Sequence, residues 1–216
     1  IWVCPSPNKP LPLQDMKILV GTPTHDRRID IELFKSFMGM ERTGKYDLNF
    51  MFPVSSHLSR NRNMCCHTAL DEGHDWLLFL DSDIGIGDPG FLEMMLDTAY
   101  RFDAQIVCGA YKIKEQDTGV SRYPIGLLRD GVYENMESVR ERRLVDAGGT
   151  GIMLIKREVL ERMEEPWFTI VDGKDLFVMP EDLEFCRKAR ELGFKIAVDP
   201  RFETRHYGFY SWTHTP

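Results

Sequence analysis

Apolar positions in this chain come in short bursts whose spacing switches repeatedly between the strand period and the helix period. "KILVG", from Lys17, is a compact apolar run ending at Gly21 and Pro23, both turn formers, and it predicts a buried strand. "IDIELFKSFMGM" then carries its apolar residues at helical spacing, and "DLNFMFP" (47–53) alternates like a second strand. "SSHLSRNRNMCCHTALDEG" predicts a helix with Ser55 or Ser56 as N-cap and Gly73 just past its end. A third strand, "DWLLFLDSD", and another helix, "PGFLEMMLDTAYRF", follow.

The second half repeats this alternation less regularly. "AQIVCGAY" (104–111) is β-rich, and from Lys112 to Arg143 glycine-punctuated short strands predict a hairpin excursion. "GIMLIKREVLERM" (151–163) is a strand running into a short helix, and "PEDLEFCRKARELGFKIAVDP" holds a helix from Pro180 to Gly193 and then a strand. Residues 1–15, with four prolines and no periodicity, predict an extended arm ahead of a single domain over 16–216. Alternating strands and helices predict an α/β fold on a mostly parallel sheet flanked by helices. In such sheets ligands sit outside the carboxyl ends of the strands, where both "GTPTHD" and "DSD" fall.

Composition narrows the function classes. A chain of 216 residues can bury one sizeable core. Its net charge of −7 argues against a nucleic-acid binder, which needs a basic face, but leaves room for an anionic small substrate paired with a divalent cation. The longest clean apolar runs are about five residues, far short of the ~20 of a membrane span. Five cysteines, an odd number without a Cys-x-x-Cys pair, argue against a disulfide framework and a zinc site and point to a reducing, cytoplasmic setting. The first residue is Ile1 and not Met, which reads as a piece of a longer, multidomain protein or a processed chain.

The sharpest chemistry lies in "LLFLDSDIGIGDP" (77–89), where an apolar run drives into Asp81 and Asp83. In extended backbone, residues two apart share a side, so these carboxylates converge while Ser82 faces away. Two carboxylates at short range need a positive partner, and oxygen-only ligands suit magnesium or manganese. A solvated aspartate-rich turn explains the same residues without any ion. A calcium loop fails, because its sixth and twelfth positions would be Ile86 and Leu92 in place of glycine and glutamate. A phosphatase with Asp81 as nucleophile stays open, although two strands precede the motif. "DAGGTG" (146–151) precedes a strand, so it fits neither a dinucleotide fold nor a P-loop, and a plain turn suffices. Glu181 and Asp182 open a helix, where acidic residues gain from the free amides and the dipole, which also favours the ionised carboxylate.

Taken in order, "SRNRN", "FLDSD", "DAGGTGIMLIKREVL" and "PEDLEFCRKARELGFKIAVDP" resemble a nucleotide-sugar glycosyltransferase of the GT-A fold, a Rossmann-like α/β architecture, over roughly residues 17–208. The resemblance implies transfer of a hexose from a nucleotide donor, UDP in the first instance, to a hydroxyl of a glycan or glycoprotein, with Mn²⁺ or Mg²⁺ as cofactor. It implies that Thr22, Pro23, Thr24 and Asp26 hold the uracil and ribose. Arg60 would reach the base or diphosphate, with Arg62 and Asn63 as competitors. Asp81 would meet the ribose or the metal's outer shell, and Asp83 would bind the metal, with Ser82 between them in the same donor-binding turn. Gly148 and Gly149 would line the sugar and acceptor pocket, where absent side chains let backbone approach the ligand. Glu181 and Asp182 would bind the acceptor hydroxyl and deprotonate it. His206, with His214 as fallback, would complete the metal shell, although a lone histidine is as readily structural. Tyr207, Tyr210 and Trp212 would face a sugar ring or pack in the core. A catalytically silent sugar- or nucleotide-binding module is the remaining alternative.

Overall fold

The central sheet carries apolar side chains on both faces, which is why its strands read as unbroken apolar runs. The computed structural model describes residues 16–114, 122–172, 178–208 and 211–216. The expected arm over 1–15 and Tyr210 lie outside the described residues. The first elements are β1 (Lys17–Gly21), α1 (Ile31–Thr43), β2 (Asp47–Met51), α2 (Leu58–Asp71) and β3 (Trp76–Leu80). Next come β4 (Ile84–Ile86), α3 (Phe91–Phe102), β5 (Ile106–Gly109), β6 (Ile125–Arg129), β7 (Val132–Asn135), β8 (Arg143–Val145) and β9 (Ala147–Gly148). The chain continues through β10 (Ile152–Lys156), α4 (Arg157–Arg162), β11 (Val171–Asp172), β12 (Val178–Met179), α5 (Glu181–Glu191), β13 (Ile196–Asp199), β14 (Thr204–Tyr207) and β15 (Ser211–His214).

Seven strands form the main sheet in the order β2-β1-β3-β10-β5-β13-β8. β1 pairs in parallel with β2 and β3, and β5 with β13, whereas β10 runs antiparallel to both β3 and β5, and β8 to β13. The sheet is therefore mostly parallel, as the alternation predicts, with one reversed strand in its middle. That reversal has a consequence for the site. Ile152, at the start of β10, pairs with Leu80 at the end of β3, so the glycines before β10 reach the rim formed by the carboxyl ends of β1, β2, β3, β5 and β13.

Alternate residues of each strand feed two cores. Leu19, Leu77, Phe79, Ile106, Cys108, Met153 and Val198 face α2, α4 and α5, packing on Cys65, Cys66, Val159, Phe185 and Cys186. Ile18, Val20, Leu78, Leu80, Val107, Leu154 and Ala197 face α1 and α3, packing on Leu33, Phe37, Met95 and Leu96. Each such fully buried aliphatic or aromatic side chain contributes about 1.5–3 kcal/mol, so the frame beneath the rim is rigid. Asp30 caps α1 by accepting from Glu32 N at 2.8 Å. The expected serine cap of α2 is not formed: His57 takes the cap position with no side-chain bond, because Ser55 Oγ turns back to accept from His57 N at 2.9 Å. Gly73 follows the end of α2 at φ +74°, a left-handed position that suits glycine.

Two smaller sheets sit on the rim. β4 pairs with β14, and β14 with β15, while the expected hairpin excursion appears as β6–β7 with β9 against β6. Cys65, Cys66, Cys108 and Cys186 are buried free thiols. Among the described residues, no helix is long and apolar enough to cross a membrane.

Candidate active site

β3 ends at Leu80, and Asp81 to Asp83 form a turn leading into β4, not an extension of the strand. The expectation of an extended Asp-Ser-Asp is corrected accordingly. Ile84 N closes the turn on Asp81 O at 3.2 Å. Three further backbone bonds clamp it: Asp81 N donates to Gly151 O (3.0 Å), Asp30 N to Ser82 O (2.7 Å) and Tyr207 N to Asp83 O (2.8 Å). The turn is held from α1, β10 and β14 at once, which fixes where both carboxylates project.

Each aspartate has its own cation. Arg62, 3% exposed on α2, places Nη2 3.4 Å from Asp81 Oδ1 and pairs through Nη1 with Glu181 Oε1 at the start of α5. Lys114 Nζ pairs with Asp83 Oδ2, and His206 Nε2 stands 3.5 Å from Asp83 Oδ1. Burial pushes the Asp81 carboxyl above its usual range, Arg62 opposes that, and Asp83 adds to it. Burial also works against ionised Asp83, but His206 and Lys114 outweigh it and hold that carboxyl down at about 2. The mutual repulsion that the sequence poses is thus relieved by side chains of the protein itself.

Arginine selection differs from the expectation. Arg60 is exposed, and no ion pair or hydrogen bond ties it to another described residue. Arg62 is the guanidinium that enters the site. Asn63 is structural, exchanging two hydrogen bonds with the backbone of Phe168 at 2.9 and 3.0 Å. Residue spacing explains this: Arg62, Cys65, Cys66 and Ala69 lie on the buried stripe of α2, and Arg60 does not.

His206 bears on metal binding. Its Nδ1 lies 2.9 Å from Lys112 O while Nε2 faces Asp83, so both ring nitrogens point at acceptors. A neutral imidazole can donate to only one of them. The other contact needs a second proton or a cation between ring and carboxylate, and a nitrogen–oxygen donor pair fits a divalent ion. Asp81 does not join the pair, being turned to Arg62, and no group of three or more His, Cys, Asp and Glu among the described residues converges on a metal position. His214 is not an alternative: it is buried, with Nδ1 3.1 Å from Tyr123 OH and Nε2 2.9 Å from Pro200 O.

Across Arg62 from the aspartates lies Asp182, in the first turn of α5 beside Glu181. Its Oδ1 accepts from Leu183 N at 2.8 Å. Burial, then the neighbouring Glu181 charge, push its carboxyl up to about 6 against the pull of Arg62. The helix start does not hold this group in its ordinary range, contrary to the dipole expectation, because loss of water outweighs it. Tyr111 went unrecognised in the sequence. It sits just past β5 with its hydroxyl 3.1 Å from Gly151 N and its ring edge-on to His206 at 5.4 Å. Asp81 and Asp182 both act on its hydroxyl, whose pKa burial raises well above the usual value.

Gly148 and Gly149 reach the rim, and packing there requires that they lack side chains. A Cβ on Gly148 would lie closer than 3.0 Å to Cys108, and one on Gly149 closer than 3.0 Å to Tyr111 and Pro124. Their missing side chains admit the core and Tyr111.

The loop after β1 forms the opposite wall. Pro23, Thr24 and His25 from this loop, Ser55, Ser56, Leu58 and Asn61 around the start of α2, and Asp81 to Asp83 enclose a cleft of about 280 Å³. Thr22 is fully buried beneath it, whereas Asp26 is exposed and braces the loop by accepting from Arg28 N at 3.1 Å. Asn61 ties the two walls together, donating to Thr24 O and Ser55 O, each at 3.2 Å. Among the described residues, four of the six buried side-chain polar atoms without a partner lie along this rim: Thr22 Oγ1 after β1, Asn61 Oδ1 and Arg62 Nε on α2, and Thr150 Oγ1 before β10, with Tyr46 OH and His74 Nδ1 elsewhere. Unpaired buried groups are costly, so their concentration at one rim marks where a ligand or water belongs.

The family model described as "Glycosyltransferase like family 2" matches residues 54–215, most of the chain. The crystal structure of A197 from STIV superposes with a TM-score of 0.66 at 18% identity, covering 89% of this chain and 86% of that one, which is a likeness of fold. No curated protein matches the sequence. With the mostly parallel sheet, the clamped aspartate turn and the cleft beside it, the chain belongs to glycosyltransferase-like family 2 and is a glycosyltransferase of the GT-A type.

Proposed function

We propose that this glycosyltransferase moves a hexose from a UDP-linked donor to a hydroxyl of a glycan or glycoprotein acceptor, with Mn²⁺ or Mg²⁺ bound at Asp83 and His206. The observation that carries the proposal is the order of groups along the rim. The cleft between the β1 loop and the start of α2 comes first, then the Asp81–Asp83 turn that lines it. Arg62, paired with Asp81 and Glu181, follows, and then the elevated carboxyl of Asp182 beside Glu181. When bound, a divalent ion supplies charge stabilisation for the leaving nucleoside diphosphate. The chain's own residues do the rest. Pro23, Thr24 and the start of α2 hold the nucleoside, and Lys114, paired with Asp83, is the cation that would exchange that carboxylate for the diphosphate. Arg62 fixes Asp81 and Glu181 in position. Asp182 takes the proton of the acceptor hydroxyl as its oxygen bonds to the sugar's anomeric carbon and the bond to the diphosphate breaks.

Titration calorimetry with UDP-hexoses, with and without manganese, tests this on the wild type and on Asp83→Asn. Manganese is expected to tighten UDP-hexose binding in the wild type and to have little effect in the variant. Equal affinity in both proteins, or in excess chelator, overturns the metal assignment, and no binding of any nucleotide sugar overturns the donor class.

A further inference from the structure

The orientation of the Asn61 amide is set by its surroundings. Its Nδ2 donates to two carbonyl oxygens, Thr24 O and Ser55 O, both at 3.2 Å, and a flipped amide would set an oxygen against both of them. Oδ1 is therefore the atom left over, and it has no partner among the described residues although Asn61 is only 1% exposed. The same residue lines the cleft together with Pro23 and Leu58. Leu58 is a large apolar side chain left 42% exposed there. A proline, an exposed leucine and one recessed acceptor lining the same cleft suit a heterocycle that presents an N–H on its edge.

We infer that Asn61 is the residue that reads the donor's base, its Oδ1 accepting the imide N3–H of a diketo pyrimidine such as uracil or thymine. Because both amide hydrogens are committed to backbone carbonyls, Asn61 offers the base an acceptor and no donor. Cytosine and adenine present bare ring nitrogens at the matching edge, acceptor against acceptor, and are rejected. Such a role presupposes the nucleotide donor proposed above, and the test separates the two.

Nucleoside diphosphates are titrated into the wild-type protein by calorimetry with manganese present, using UDP, dTDP, GDP, CDP, ADP and UDP methylated at N3. UDP is expected to bind roughly tenfold to a hundredfold more tightly than CDP, ADP or the N3-methyl analogue, the range for leaving a buried acceptor unpaired. Comparison of dTDP with UDP tells which diketo pyrimidine fits, and GDP binding as tightly as UDP overturns the pyrimidine assignment. The same series on Asn61→Ala is expected to abolish the difference between UDP and its N3-methyl analogue. If UDP binds and CDP or N3-methyl-UDP binds equally well, or if Asn61→Ala keeps the full discrimination, the assignment of Asn61 is wrong while the donor class survives. If no diphosphate binds, both fall. Should Asn61→Ala not fold, the ligand series on the wild type decides alone.

Discussion

Arg62 Nη2 lies 3.4 Å from Asp81 Oδ1, and the same guanidinium is paired through Nη1 with Glu181. Arg62 is 3% exposed, so two strand-rim and helix-start carboxylates share one desolvated cation. Removing one partner of such a group leaves buried charge uncompensated, which typically costs about 3–5 kcal/mol. Arg62→Met is expected to lose stability on that scale at neutral pH in urea unfolding, and to recover part of it as acid protonates the freed carboxylates. Arg60→Met, at an exposed position, should change stability by no more than about 0.5 kcal/mol. Equal effects of the two substitutions would mean that Arg62 is not the structural centre of the site.

His206 and His214 make a second contrast. His206 faces Asp83 across 3.5 Å, and His214 is locked between Tyr123 OH and Pro200 O. His206→Ala is expected to weaken manganese binding about tenfold or more, a loss at least as large as that from removing an outer-shell partner, with a small change in melting midpoint without metal. His214→Ala is expected to do the reverse, costing about 1–3 kcal/mol of metal-free stability by leaving buried groups unpaired. Calorimetry with manganese and thermal unfolding of the apo proteins read out both arms. Normal manganese affinity in His206→Ala removes this residue from the metal shell.

Gly149→Ala separates packing from ligand contact. The new methyl would meet Tyr111 and Pro124 closer than 3.0 Å, and overpacking of this kind costs about 1–3 kcal/mol. The melting midpoint is therefore expected to fall while UDP affinity stays near the wild-type value. An unchanged midpoint with weakened sugar-nucleotide binding would place Gly149 on the ligand surface.

Much of this frame is legible in the chain because its strands are buried on both faces. "KILVG", "WLLFL" and "IAVD" are continuous apolar runs, and their ends locate the rim. What is not legible is direction: nothing in "IMLIK" announces that β10 enters the sheet reversed, and that reversal carries Gly149 to Gly151 to the rim. Within the site, the aspartates, Asp182 and His206 stand out by residue type and position at element ends. The choice between Arg60 and Arg62 depends on which one falls on the buried stripe of α2, and a count from Cys65, Cys66 and Ala69 identifies Arg62. Tyr111 also had a signal, its place two residues past the end of β5. Lys114 had none, since its pairing with Asp83 is made by tertiary contact across 31 residues of sequence.

Asp182 combines a catalytic expectation with a thermodynamic one. Burial and the Glu181 charge raise its carboxyl to about 6, from 3.8 for an unperturbed aspartate. A base must be ionised to accept a proton, so kcat/KM is expected to rise with pH and level off above about 6, with the acid limb belonging to this group. Stability runs the other way. The folded state keeps the proton up to about pH 6 and the unfolded chain releases it near 3.8, so stability present below that range is lost as pH rises through it. Asp182→Asn removes the ionisation but keeps an oxygen for Leu183 N. It should therefore be at least as stable as the wild type at pH 7, by up to about 3 kcal/mol, with that advantage vanishing near pH 4. The same variant is expected to lose on the order of 10²–10⁴ in kcat, with UDP-hexose affinity nearly unchanged. A variant less active but also less stable at pH 7 would mark Asp182 as a helix-start brace, and one with near-wild-type turnover and an intact acid limb would move the base to another residue.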